Sequence, residues 1–93
     1  MKKVSPAEII KQVLLANNFE NHDHTLEILY RGDVRRVIFQ SDLYNFTVEF
    51  LDFKQGTSKE YIIPINSHQS INKVLDRIEL LTNKKLKTPV FKI

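Results

Sequence analysis

The stretch at residues 26–39, LEILYRGDVRRVIF, most restricts what this chain can fold into. Two apolar segments flank Gly32 and Asp33, and glycine at the first turn position suits a two-residue type II′ hairpin turn. Counting outward from this turn places Tyr30 opposite Arg35. The other predicted cross-strand pairs are Leu29/Arg36, Ile28/Val37, Glu27/Ile38 and Leu26/Phe39. Because side chains alternate between the two faces of a strand, this hairpin has one strongly apolar face and one mixed face.

A second hairpin is predicted over residues 45–66, NFTVEFLDFKQGTSKEYIIPIN. We place its loop at residues 55–58, which pairs Phe50 with Ile63. Pro64 cannot donate a ladder hydrogen bond, so the last strand is predicted to lie at an edge of the sheet. The second hairpin again has one strongly apolar face and one mixed face. Agreement between two independent hairpins predicts a four-stranded antiparallel meander.

Amphipathic helices are predicted on both sides of the hairpins. Ser5 and Glu8 form a helix start, and apolar residues at helical spacing continue to Ala16. A second helical pattern follows Ser67 and ends near Asn83.

The predicted fold class is α+β, a four-stranded antiparallel β-meander flanked by an N-terminal and a C-terminal helix in the order α-β-β-β-β-α. Residues 19–24 are polar and are predicted to form a loop. The helices are expected to cover the strongly apolar sheet face. We expect a single domain over residues 1–93, within which residues 84–93 form a basic C-terminal segment.

Composition limits the classes of function. The 93 residues include no cysteine, which excludes a disulfide scaffold and a thiolate metal site. The net charge is +3, but the C-terminal segment alone contributes +4, so the rest of the chain sums to −1 (3 − 4). Binding to a polyanion would therefore depend on local basic patches. No apolar run approaches the ~20 residues that cross a bilayer, and without a secretory signal we expect a cytoplasmic protein with no membrane contact.

Arginines crowd the first hairpin turn. Arg31, Arg35 and Arg36 lie within a few residues of it, beside Tyr30. Arginine forms paired hydrogen bonds with phosphate and tyrosine stacks on bases, so these four residues are candidates for nucleic-acid binding. The alternative is that this turn is the solvated end of a hairpin, with its arginines paired to nearby acids.

Lysines crowd the C-terminal segment. Lys84, Lys85 and Lys87 are further candidates for phosphate contacts, which would make binding strongly salt-dependent. The alternative is a solvated terminus whose positive charge complements the negative end of the second helix.

The mixed sheet face carries much apolar surface for a side that faces solvent. The candidate interface residues on it are Leu29, Ile38, Leu51, Phe53 and Ile62. Four kinds of cover remain open: the end of the chain, a helix, a second copy of the chain, or a protein partner. The charges interleaved with these residues suit a symmetric contact, so we expect a homodimer.

Catalytic and metal chemistry have little support in the sequence. The serines lie at predicted caps and turns, and two glycines are too few for a glycine-rich phosphate loop. His22, Asp23 and His24 form a metal-like cluster, but adjacent loop residues rarely converge on one ion. We expect no enzyme activity, no metal site and no cofactor.

Residues 25–81, read as four strands and a helix, resemble in outline a known domain. It is the sheet-plus-helix domain of single-stranded DNA-binding coactivators. The resemblance implies dimerisation and binding of single strands along the sheet. The predicted N-terminal helix departs from that pattern, and no binding residue is carried across.

Two functional hypotheses follow. The first is a small non-enzymatic nucleic-acid-associated regulatory protein that contacts single-stranded or double-stranded nucleic acid through the basic hairpin tip and the lysine-rich segment. The second is a protein-binding adaptor or inhibitor, of the kind that phages and mobile elements encode, that uses the mixed sheet face.

Overall fold

A computed structural model describes residues 5–30 and 32–87. Its elements, in chain order, are α1 (Pro6–Ala16), β1 (Glu20–His22), β2 (Thr25–Tyr30), β3 (Arg35–Ser41), β4 (Asn45–Asp52), β5 (Thr57–Pro64) and α2 (Gln69–Thr82). The strands form one antiparallel meander in the order β1-β2-β3-β4-β5. The predicted α+β class, with an antiparallel sheet between an N-terminal and a C-terminal helix, is confirmed, whereas the predicted number of four strands is wrong.

The fifth strand is β1, inside the stretch that we predicted to be a loop. Its residues are all exposed and none of them is a strong strand former, so no hydrophobic pattern marks it. Asp23 adopts a positive φ of 52° in the tight turn that folds β1 back onto β2. Backbone pairing with β2, from His22 opposite Thr25 to Glu20 opposite Glu27, is what makes this stretch a strand.

Helix α1 begins and ends where the local sequence indicates. The Ser5 Oγ accepts a hydrogen bond from the Glu8 backbone N–H at 3.3 Å, which satisfies a free donor in the first turn. Asn17 ends the helix. Helix α2 ends at Asn83, which adopts the left-handed conformation with φ 52°, as helix termini often do.

The first hairpin has the predicted register, with all five pairs from Tyr30/Arg35 to Leu26/Phe39 observed. Its turn type differs from the prediction. Gly32 and Asp33 both have positive φ, at 63° and 66°, which is typical of a type I′ turn rather than type II′. Aspartate tolerates this conformation, and the type I′ twist matches that of the flanking strands.

The register of the second hairpin differs from the prediction. Phe50 lies opposite Lys59 rather than Ile63, a shift of four residues (63 − 59). The loop consists of residues 53–56 because the Asp52 Oδ1 accepts hydrogen bonds from two loop N–H groups, and Gly56 closes it with φ 67°. Since four is even, every side chain that lies in β4 or β5 keeps its predicted face. Strand β5 lies at the sheet edge, as Pro64 indicated.

Both helices pack on one side of the sheet, which we call the inner face. The inner-face side chains in or against the core are Leu26, Ile28, Tyr30, Val37, Phe39, Phe46, Val48, Phe50, Tyr61 and Ile63. The helices add Ile10, Leu14, Ile71, Val74 and Ile78, which are all buried. The strongly apolar faces predicted for the two hairpins are therefore confirmed as one continuous core.

The turn between β3 and β4 makes stability depend on pH. The Asp42 Oδ1 accepts hydrogen bonds from the backbone N–H groups of Tyr44 and Asn45, each at 2.7 Å, which lowers the pKa of Asp42 from its ordinary value of 3.8. A carboxyl group with a lowered folded-state pKa stabilises the fold above its unfolded pKa, and this contribution disappears as the pH falls through the folded pKa.

We expect wild-type protein to be more stable than the Asp42→Asn variant at pH 5, and the difference to shrink towards pH 3. The amide oxygen of asparagine can accept the same two bonds but carries no charge, so the variant isolates the titration. Urea unfolding of both proteins across this range measures the effect. A stability difference that is constant with pH would contradict it.

Candidate functional site

The side of the sheet opposite the helices, which we call the outer face, carries a row of glutamates. Directly opposed residues of antiparallel strands project to the same face. The register therefore joins one residue from each of the five strands, in the order Glu20, Glu27, Ile38, Glu49 and Glu60. We call these five residues the glutamate row.

Two pairs of glutamates in this row lie directly opposite each other, Glu20 with Glu27 and Glu49 with Glu60. Like charges in such positions destabilise a sheet. His22 Nε2 lies 3.1 Å from a Glu20 oxygen, and Arg36 Nη1 lies 3.8 Å from a Glu27 oxygen. Within residues 5–30 and 32–87, neither carboxylate of the second pair is in an ion pair, so this end of the row carries two uncompensated negative charges.

Apolar side chains flank the glutamate row on both sides. The register aligns Leu29, Arg36 and Leu51 on one side and places Ile62 on the other. Leu29 is 47% exposed and Ile62 is 58% exposed. The outer face is therefore both apolar and acidic, with the four glutamates outweighing Arg36 by three charges (4 − 1).

The structure brings the predicted interface residues together. Leu29, Ile38, Leu51 and Ile62 lie on the outer face. Phe53 lies in the loop after β4 rather than in a strand, with half of its surface exposed (50%). The guanidinium of Arg36 sits 5.5 Å from the centre of the Phe53 ring, which connects this loop to the outer face.

The two described arginines of the hairpin tip point in opposite directions. Adjacent residues of a strand face opposite sides of the sheet, so Arg35 lies on the inner face and Arg36 on the outer. The Arg35 Nε lies 3.3 Å from an oxygen of the buried Asp52 carboxylate, and the guanidinium lies over the Phe50 ring at 6.0 Å. Arg31 lies outside the described residues.

Arg36 has one polar atom without a partner. Its Nε is buried and has no hydrogen-bond acceptor among the residues that the structure describes. A buried donor left unsatisfied costs about 1–3 kcal/mol. The Arg36 side chain as a whole is 35% exposed, so the rest of its guanidinium stays accessible on the outer face.

Tyr30, the predicted stacking residue, belongs to the contact between sheet and helix. Its hydroxyl donates a hydrogen bond to the Leu81 carbonyl at 2.6 Å, and its ring centre lies 6.5 Å from that of Phe50. The ring is half-buried on the inner face and packs against the core.

The predicted lysines Lys84, Lys85 and Lys87 are exposed at the start of the C-terminal segment. This part of the segment is held in place by side chains. The Asn17 amide donates to the Lys87 carbonyl at 2.7 Å, and its oxygen accepts from the Lys87 N–H at 2.9 Å. A Glu79 carboxylate oxygen accepts from the Leu86 N–H at 2.8 Å. Sequence reasoning missed Asn17, which reads locally as a helix end.

A cavity of about 690 Å³ lies where the outer face meets the C-terminal segment. Its lining includes Glu20, Glu27, Arg36, Tyr30 and Lys84. The cavity therefore draws together residues from the predicted nucleic-acid site and one end of the glutamate row.

In the described part of the chain, no three His, Asp or Glu side chains lie close enough together to hold a metal ion. Neither described helix has the length and apolar composition needed to cross a membrane. Comparisons with protein-family models, with curated proteins and with solved structures found no match to this chain.

Proposed function

We propose that this chain is a non-enzymatic protein-binding module, an adaptor or inhibitor that engages its partner through the outer face. The observation that carries the proposal is the exposure of Leu29 and Ile62 on a sheet face that neither helix covers. Together with half-exposed Phe53 and the partly buried Ile38 and Leu51, they make an apolar surface that the glutamate row crosses. Such surfaces are typical of protein interaction sites.

The partly exposed guanidinium of Arg36 supports the same proposal. The Arg36 side chain is 35% exposed on the outer face, so the accessible part of its guanidinium can donate to an acceptor of a partner that packs there. Polar groups of this kind fix the orientation of a partner on an otherwise apolar surface.

The nucleic-acid-associated regulatory function is the alternative proposal, with Lys84, Lys85 and Lys87 as its main support. The outer face repels phosphate because its four glutamates outnumber its one arginine. Arg35 and Arg36 are paired with Asp52 and Glu27 on opposite sides of the sheet, so they do not present one joint phosphate site.

The proposal is tested by affinity capture with the immobilised chain. We expect proteins retained by the wild type to be lost from the Leu29→Ser/Ile62→Ser double variant, because it removes the two most exposed apolar strand residues of the outer face. The matched control is Leu80→Ser, since Leu80 is 73% exposed but lies on α2. Circular dichroism checks that all three proteins are folded.

The same proteins are titrated with single- and double-stranded oligonucleotides at low and physiological salt. Oligonucleotide binding that falls steeply with salt, survives the outer-face changes and is lost in Lys84→Ala/Lys85→Ala/Lys87→Ala would support the nucleic-acid alternative instead. Retention of the same proteins by wild type and outer-face variant would contradict the protein-binding proposal.

A further inference from the structure

We propose that the occupant of the outer face is a basic amphipathic helix of a partner protein, lying along the glutamate row. This inference rests on the proposed protein-binding function and adds the chemistry of the partner. Its starting point is the length and charge of the row. Four steps between neighbouring strands of about 4.8 Å each give a row of about 19 Å, the length of about 13 helical residues.

The charges of the row favour a cationic occupant. Glu49 and Glu60 lie directly opposite each other without a compensating cation among the described residues. Repulsion between them destabilises the free sheet and is relieved when a lysine or arginine lies between them. Complementary charge of this kind selects partners and speeds their encounter.

The flanks of the row require apolar side chains in the same occupant. Leu29 and Leu51 lie on one side of the row and Ile62 on the other. A segment that satisfies both features places Lys or Arg in a central stripe with Leu- or Ile-like residues beside it. This is the pattern of a basic amphipathic helix.

A helix suits this surface better than an extended strand. The backbone groups of the central strands are already paired within the sheet, so the outer face presents side chains only. Strand addition needs unpaired backbone groups at a sheet edge, whereas helices dock their side chains onto apolar surfaces.

Other candidate occupants of the outer face present negative charge, as the face itself does. A second copy docking outer face to outer face would bring together two surfaces that each carry an excess of three negative charges, and nucleic acid or an anionic lipid surface would also be repelled. The homodimer predicted from the sequence stays a prediction, but this face is a poor place for its symmetric contact.

The test uses three synthetic peptides of about 14 residues, a length that matches the row. The first carries lysine and leucine on one helical face, the second has glutamate in place of every lysine, and the third is the first sequence shuffled. Fluorescence anisotropy at low and moderate salt measures their binding to the full chain. We expect the lysine peptide to bind at least about tenfold more tightly than the other two.

The Glu49→Lys/Glu60→Lys variant is expected to reverse this preference, losing about tenfold for the lysine peptide and gaining affinity for the glutamate peptide. Its matched control is Asp76→Lys, since Asp76 is exposed on α2. Single replacement of Glu60 by lysine is also expected to raise the thermal midpoint, because it converts a like-charge pair into an opposite-charge pair. A gain in stability with a loss of binding is not what a purely structural glutamate would show.

The outcomes separate this inference from the proposed function. Equal binding of the shuffled peptide, or unchanged binding by the charge-reversal variant, overturns the inference. If no peptide binds while the Leu29→Ser/Ile62→Ser variant still loses captured proteins, the partner chemistry is wrong and the protein-binding function stands. If sedimentation shows that the chain alone self-associates and that the Leu29→Ser/Ile62→Ser variant does not, the occupant is a second copy and the inference is also overturned.

Discussion

Replacement of Asn17 by alanine is expected to lower the free energy of unfolding by about 2–3 kcal/mol. Asn17 is only 6% exposed, and its side chain makes three hydrogen bonds. Two of them hold the backbone of Lys87, and the third satisfies the Val13 carbonyl near the end of α1. The variant leaves these three backbone groups without their partner, and they lie in a region where water cannot fully replace the lost bonds.

Urea unfolding followed by circular dichroism measures this loss. The matched control is Asn72→Ala at an exposed position of α2, which is expected to change stability by no more than about 0.5 kcal/mol. Limited trypsin digestion adds a local measurement. Cleavage after Lys84, Lys85 and Lys87 should be faster when the Asn17 side chain no longer holds the Lys87 backbone. Equal stability and equal cleavage rates in both variants would mean that Asn17 does not hold the C-terminal segment.

Replacement of Asp52 by alanine is the second large effect, and we expect a loss of about 2–3 kcal/mol. The buried carboxylate accepts hydrogen bonds from the N–H groups of Lys54 and Gln55, both at 3.1 Å, and it pairs with Arg35. Removing one partner of a fully buried ion pair costs more than about 2–3 kcal/mol. Here the Arg35 side chain is 28% exposed, so water partly solvates the charge that Asp52 leaves unpaired.

A double-mutant cycle separates the roles of this carboxylate. Arg35→Ala is expected to cost less than Asp52→Ala, because it leaves the two loop hydrogen bonds in place. The double variant should then lose less free energy of unfolding than the two single variants lose in sum, since the two side chains interact directly. Exactly additive effects would show that the ion pair contributes nothing, and Arg35 would be available for a ligand.

The cycle also bears on function. If Arg35→Ala lowers stability while leaving partner binding and oligonucleotide binding unchanged, Arg35 is a structural residue of the inner face. The outer-face variants should show the opposite pattern, with binding lost and the fold retained.

Much of the local structure follows from the sequence read residue by residue. The cap at Ser5 and the left-handed residue at Asn83 are determined within one helical turn, so the helix bounds were predictable. The register of the first hairpin was predictable for a similar reason. Only residues 31–34 separate its two strands, and a turn centred on Gly32 and Asp33 leaves one way to count the pairs.

The second hairpin shows where local reading becomes ambiguous. Its longer loop contains several residues able to turn, and only the hydrogen bonds to Asp52 select residues 53–56. The backbone N–H of Phe53 also donates to the Val34 carbonyl at 2.8 Å, a bond between the two hairpins that no local pattern encodes. The face of each residue was still predictable, because an even shift leaves the alternation intact.

The sequence by itself determined the α+β class, the two amphipathic helices and the division of the sheet into a strongly apolar and a mixed face. These features depend on periodicity and on capping, which act over a few residues. Only the tertiary structure decided that Glu20–His22 is a strand, that Asn17 clamps a backbone 70 positions away, and that four glutamates align across five strands. Each depends on partners distant in the chain, and their positions are set when the sheet and helices close on a common core.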